Sequence, residues 1–137
     1  MKIWKILTAG AAVTIFGMIM GMAFCGGIFN WVYQLEPTNV WKPMEGPPGA
    51  MFFIGGLALN IVLALVYALL NKGIPGRNKP VKGLIFGLCV WAVGILPGMF
   101  ATYSFMTVST TVIIYWTILG LIEAPLKGLI IAAIYGE

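Results

Sequence analysis

The chain has 137 residues, 61% of them apolar and 9% charged, with eight basic and four acidic side chains for a net charge of +4. Soluble domains are roughly half apolar and a quarter charged, so this chain has too little polar surface to cover itself in water. One compact unit fits the length and a second domain does not, no polar face is left over for binding nucleic acid, and the absence of histidine argues against bis-histidine haem, histidine-based metal sites and histidine-dependent nucleophilic catalysis.

The first apolar run predicts a helix over about residues 3–33. Lys2 and Lys5 before it resemble the start of a secretory signal, but the run far exceeds a signal core of roughly 7–15 residues. No small-x-small cleavage pattern follows, and Phe24 before Cys25 suits lipoprotein processing poorly. A retained membrane span is therefore expected. Gly17 and Gly21 form a Gly-x-x-x-Gly pair in its middle, and Asn30, Trp31 and Tyr33 close it, with aromatic rings suited to the bilayer boundary.

Gln34 to Gly49 is the one sizeable polar stretch. Pro37, Pro43, Pro47 and Pro48 lie in it, with Glu36, Glu45 and Lys42, and proline at this density excludes helix and sheet. An extramembrane loop is expected, with Trp41 and Met44 dipping toward the membrane; a lid or docking loop is the sharper alternative.

A second helix is predicted over about 51–70. Gly56, Asn60, Ala64 and Ala68 recur every fourth residue, so they share one face. Asn60 falls roughly 15 Å along the helix, where lipid offers an amide no partner. It is expected either to hydrogen-bond a neighbouring helix or to contact a ligand.

Asn71 to Lys82 holds Lys72, Arg77, Lys79 and Lys82 among Gly73, Pro75, Gly76 and Pro80. This basic turn marks the cytoplasmic side. The third helix is predicted over about 81–103, with the pairs Gly83/Gly87 and Gly94/Gly98. Pro97 inside it frees the carbonyl of Val93, giving a kink or a hinge. Trp91 lies deep enough for its indole N–H to need a partner.

The fourth helix is predicted over about 109–135. Tyr115 and Trp116 lie near its start, and Gly120, Ala124, Gly128, Ala132 and Gly136 make a ridge without large side chains, the kind on which helices approach closely in lipid. Beside that ridge are Glu123 and Lys127. Glu123 lies roughly 21 Å from the start of the helix, where a carboxylate must be protonated, paired or facing water. Lys127 follows at i+4 in the favourable order. Pro125 between them leaves the Leu121 carbonyl without its helical donor. The pair is either an internal salt bridge or a proton- or cation-binding site at a helix break.

The expectation is thus an all-α integral membrane protein, a single domain of four transmembrane helices in an up-down-up-down bundle. Both termini would be cytoplasmic, in an inner or plasma membrane. A faint likeness between residues 15–17 and 85–87, and between 60–67 and 128–135, suggests two repeated hairpins. Cys25 and Cys89 would lie roughly 33 Å and 12 Å along helices pointing the same way, too far apart for a bridge, which needs Cα atoms within about 7 Å. Two free, buried thiols are expected.

Two functional readings follow. One is an oligomeric transporter or channel-like protein for a small solute or ion. Glu123, Asn60 and Lys127 would be its ligand- or ion-binding residues, and Pro97 and Pro125 its hinges. The other is a non-catalytic accessory or scaffold subunit packing on partner membrane subunits. With no metal ligands, Ser–His set or CxxC motif, an intramembrane enzyme fits least well, and no metal or cofactor is expected.

Overall fold

The computed structural model describes residues 1–42 and 48–136. Pro43, Met44, Glu45 and Pro47 of the proline-rich loop lie outside the described residues, and with them the expected dip of Met44. The described residues are helical and contain no strand. Four helices are long and apolar enough to cross a membrane: α1 (Ile3–Ile28), α2 (Ala50–Leu70), α3 (Lys79–Phe105) and α4 (Thr110–Tyr135). They are apolar on nearly every side, and large side chains remain exposed along them, Val93 at 77% and Phe100 at 72%. Such a surface suits lipid as solvent, because helices satisfy their backbone internally and need no water.

Three of the four boundaries fall close to the predicted ones, and the first differs. α1 is α-helical over Ile3–Met20, widens into π turns over Gly21–Ile28 and stops there, well short of residue 33; Asn30–Gln34 form a separate 3-10 turn. The wide stretch holds Gly21, Gly26 and Gly27, and a Cβ at Gly21 or Gly26 would meet no described atom within 4 Å. Glycine favours helix weakly, and no neighbour holds this part of α1 to the tighter pitch. α3 begins earlier than predicted because Asn78 caps it: its side chain accepts from the Val81 N–H at 3.1 Å. Pro80 is tolerated in the first turn, where its missing N–H costs no bond. Ahead of Pro97, α3 passes through π turns over Trp91–Ile95 and resumes as α-helix from Leu96. A widened turn is one way a helix absorbs a missing donor. α4 stays α-helical through Pro125 and ends on Gly136 at φ 80, the left-handed cap that glycine accepts.

α4 is the hub of the packing. It lies against α3 along much of its length, against α1, and more lightly against α2, which leans chiefly on α1. The α3–α4 seam is backbone on backbone. Gly83 and Gly87 press on the carbonyls of Gly128 and Ala124, and a Cβ at any of the three glycines would collide there. This is the small ridge expected on α4, with its partner now known. A second close approach sets Gly10 of α1 on Ile61 of α2, where a Cβ would sit 2.8 Å from the Ile61 Cα. Other small residues of the same spacing do not pack. Gly94 and Gly98 on α3, and Gly56 on α2, would offer a Cβ open space among the described residues.

The interior is in two pieces. One cluster joins Val13, Ala64, Tyr67, Phe86, Ile131 and Tyr135; the other joins Val32, Val108, Val112 and Ile113. At the first end the lysines gather on helix C-termini. Lys5 Nζ donates to the Tyr135 carbonyl at 3.2 Å and Lys82 Nζ to the Asn71 carbonyl at 3.1 Å, satisfying acceptors that a helix end leaves open. The second end is aromatic, and the layer between the two clusters holds the candidate site.

Candidate functional site

Glu123 and Lys127 face the same way because they are one turn apart on α4. Lys127 Nζ lies 2.7 Å from Glu123 Oε1, and the two side chains are only 21% and 23% exposed. The contact is an ion pair in hydrogen-bonding range. It sits where α3 comes nearest, since Gly87 bears on Ala124 and Pro125 between the paired residues. On the other flank is Gly17 of α1: a Cβ there would lie 3.6 Å from Lys127 Cε and Nζ and 3.8 Å from Glu123 Oε1. Glycine at position 17 therefore leaves the pair without a side chain pressed against it.

The pair also forms part of the wall of a cavity of about 310 Å³. Leu63 of α2 closes one side. Phe86, Val90 and Ile95 of α3 close another, and α4 supplies the rest from Trp116 to Gly128. Along α4 that is a run of roughly 18 Å. The cavity exists because α2 and α3 hardly meet. They join at one end, where the Tyr67 and Phe86 rings lie edge to face at 5.2 Å, and their backbones stay apart beyond it. Among the cavity's lining residues, Glu123 alone has a side-chain oxygen and Lys127 the one ammonium.

Asn60 is not in that wall. Its amide donates to Thr14 Oγ1 of α1 at 3.1 Å, and the Thr14 hydroxyl donates on to the Gly10 carbonyl at 2.8 Å. This is a helix-to-helix hydrogen bond beside the Gly10–Ile61 approach. Of the three residues read as binding a ligand, the structure brings Glu123 and Lys127 together and leaves Asn60 paired elsewhere. Of the two read as hinges, Pro97 follows the π turns of α3, and Pro125 is held in an unbroken helix against Gly87.

Trp91 donates its indole N–H to the Thr117 carbonyl at 2.9 Å, meeting the need read from its depth. At the aromatic end, Trp116 donates to the Tyr33 hydroxyl at 2.7 Å, and Trp41 from the loop donates to the Tyr33 carbonyl at 3.1 Å. The Trp41 and Trp116 rings meet edge to face at 5.8 Å. Burial, reinforced by the Cys25 thiol, pushes the Tyr33 phenol up from 10.0 to about 12, so it stays protonated at physiological pH. The polar loop is thereby tied through Trp41 to a residue of the cavity wall. Both cysteines are free, as their depths required, but they are not both buried. Cys25 is half-buried with its sulfur 3.9 Å from the Tyr115 hydroxyl, and Cys89 is exposed on the outer face of α3.

Sequence reasoning passed over Gly17 as a spacer, Thr14 as the partner of Asn60, and Phe86, Leu63 and Trp116 as walls. For Thr14 a signal existed: a hydroxyl at mid-span, like an amide there, looks for a partner. The others are ordinary apolar residues whose role depends on what stands opposite. Compared with known proteins, the chain matches no family model, no curated protein and no solved structure.

Proposed function

We propose that this chain is an integral membrane protein that carries or conducts a small solute or ion past an intramembrane carboxylate, working as an oligomer and without catalysing a reaction. One observation carries the reading: the Glu123–Lys127 pair lines a cavity between helices, instead of closing on itself inside packed side chains. Ionisable groups within membrane spans mark solute and ion pathways more often than they mark simple packing.

The finer architecture is part of the same proposal. The four helices alternate in direction, as two hairpins, with both termini on the cytoplasmic side of a plasma or inner membrane. Support comes from the lysines. The start of α1 bonds the end of α4 and the start of α3 bonds the end of α2, which gathers positive charge at one end as cytoplasmic loops do.

The test is flux. Reconstituted in vesicles, the wild type is expected to pass at least one of protons, potassium ions, a small organic cation or a small organic anion faster than protein-free vesicles. Glu123→Gln is expected to cut that flux by about tenfold or more. No flux for any of the four, or flux indifferent to the substitution, overturns the transport reading. A second reading then stands, that of a scaffold subunit. The open glycines Gly94 and Gly98 favour it, because they offer bare backbone to another helix.

A further inference from the structure

The two members of the ion pair are not equally free to part. Glu123 is short, and its stretch of α4 is fixed by Gly87 pressing on Ala124 and Pro125. Its carboxylate stays at mid-depth whatever its partner does. Lys127 has a long apolar stem and lies eight residues before Tyr135, roughly 12 Å from the end where the other lysines gather. A lysine so placed can lay its stem along apolar surface and carry its ammonium toward the boundary, and Gly17 puts no side chain in the way. When the pair opens, the charge left in the cavity is negative.

The walls suit one kind of cation. Phe86 and Trp116 bring aromatic rings, whose faces attract positive charge. A bare metal ion would find a single carboxylate there and no other side-chain oxygen among the lining residues, whereas hard cations take six or more oxygen ligands. The remaining surface is aliphatic. At about 310 Å³ the space lies at the lower limit of small-molecule pockets, roughly 300–1,000 Å³.

Resting on the reading of this cavity as a ligand site, we infer that it takes small lipophilic organic cations: the charged head replaces the Lys127 ammonium on Glu123, and the apolar body lies among Leu63, Phe86 and Trp116. No covalent step is involved; one cation takes the place of another on the same carboxylate.

Three probes of nearly one shape separate the possibilities: phenyltrimethylammonium, its neutral isostere tert-butylbenzene, and the anion benzenesulfonate. Binding is measured on the purified full-length protein in lipid nanodiscs. Wild-type protein is expected to hold the cation about tenfold or more tighter than either other probe, a margin a single charged contact supplies. Glu123→Gln should erase that margin. Lys127→Met should tighten cation binding, and the cation should raise the melting temperature of that variant more than that of the wild type. Preference for benzenesulfonate, or equal binding of the cation and tert-butylbenzene, would overturn the ligand class and leave the cavity standing as a ligand site. Binding of none of the three would remove the cavity reading and this inference with it. The wild-type ranking needs no variant, so a misfolded substitution does not blur the outcome.

Discussion

Gly17 and Gly87 both sit in mid-helix beside the same ion pair, and their missing side chains do different work. At Gly87 an added Cβ would strike the Ala124 carbonyl, while at Gly17 it would make ordinary contact with the Lys127 stem. Gly87→Ala is therefore expected to cost about 2–3 kcal/mol through forced separation of α3 and α4, read by unfolding in mixed micelles. Gly17→Ala should fall within about 0.5 kcal/mol of the wild type. The ion pair makes its own prediction. Removing one partner strands a charge among apolar side chains, and removing both does not. Lys127→Met and Glu123→Gln should each destabilise, and the double variant should lose less than the two added together, with a coupling of about 1–3 kcal/mol. At this scale the sequence was informative wherever one helix held both partners. Glu123 and Lys127 could be paired by counting four residues, and Trp91 could be assigned a missing acceptor by depth. The partner of Asn60 could not be named, because Thr14 lies on another helix and the crossing of α1 on α2 is set by Gly10 meeting Ile61.

At the scale of the element, α3 shows what spacing encodes and what it leaves open. Gly83/Gly87 and Gly94/Gly98 are the same motif eleven residues apart. The first pair touches the backbone of α4 and the second touches nothing described. Periodicity places residues on a common face of their own helix and says nothing of what stands opposite that face. The difference arises from the π turns at Trp91–Ile95, which shift the register of the helix between the two pairs, and such turns leave no clear mark in composition. Gly98→Ala is accordingly expected to leave the isolated protomer unchanged, or to stabilise it by up to about 1 kcal/mol through helix propensity. The helix start was legible in retrospect: Asn78, with proline two residues on, is a capping sequence. Asn78→Ala should cost about 1 kcal/mol, visible as earlier fraying of α3 in amide exchange.

At the scale of the molecule, the four apolar helices were plain from composition and run length, and their ends came within a few residues except at the glycine-rich close of α1. The divided interior was not, because a cavity is a relation among three helices and each carries only a part of it. The lysines were read for orientation alone. The structure adds that Lys5 and Lys82 bond the last carbonyls of α4 and α2, so the charges that would set topology also finish the helices. Orientation can be checked with Lys72→Cys and Thr38→Cys, each placed in a chain whose Cys25 and Cys89 are replaced by serine. A membrane-impermeant maleimide is expected to label Lys72→Cys from the cytoplasmic side alone and Thr38→Cys from the opposite side alone. Labelling of both from one side would overturn the alternating arrangement. If association runs through the open face of α3, crosslinked oligomers should decline in Gly98→Ala while the protomer keeps its stability.

The seam between α3 and α4 carries a mechanical consequence. Helices that meet through side chains can glide past one another as rotamers give way; helices that meet carbonyl to Cα have nothing soft between them. Gly83, Gly87 and Gly128 thus lock α3 and α4 into one stiff plank. Whatever widens the gap beside that plank, it is α2, leaning on α1 and barely held elsewhere, that swings.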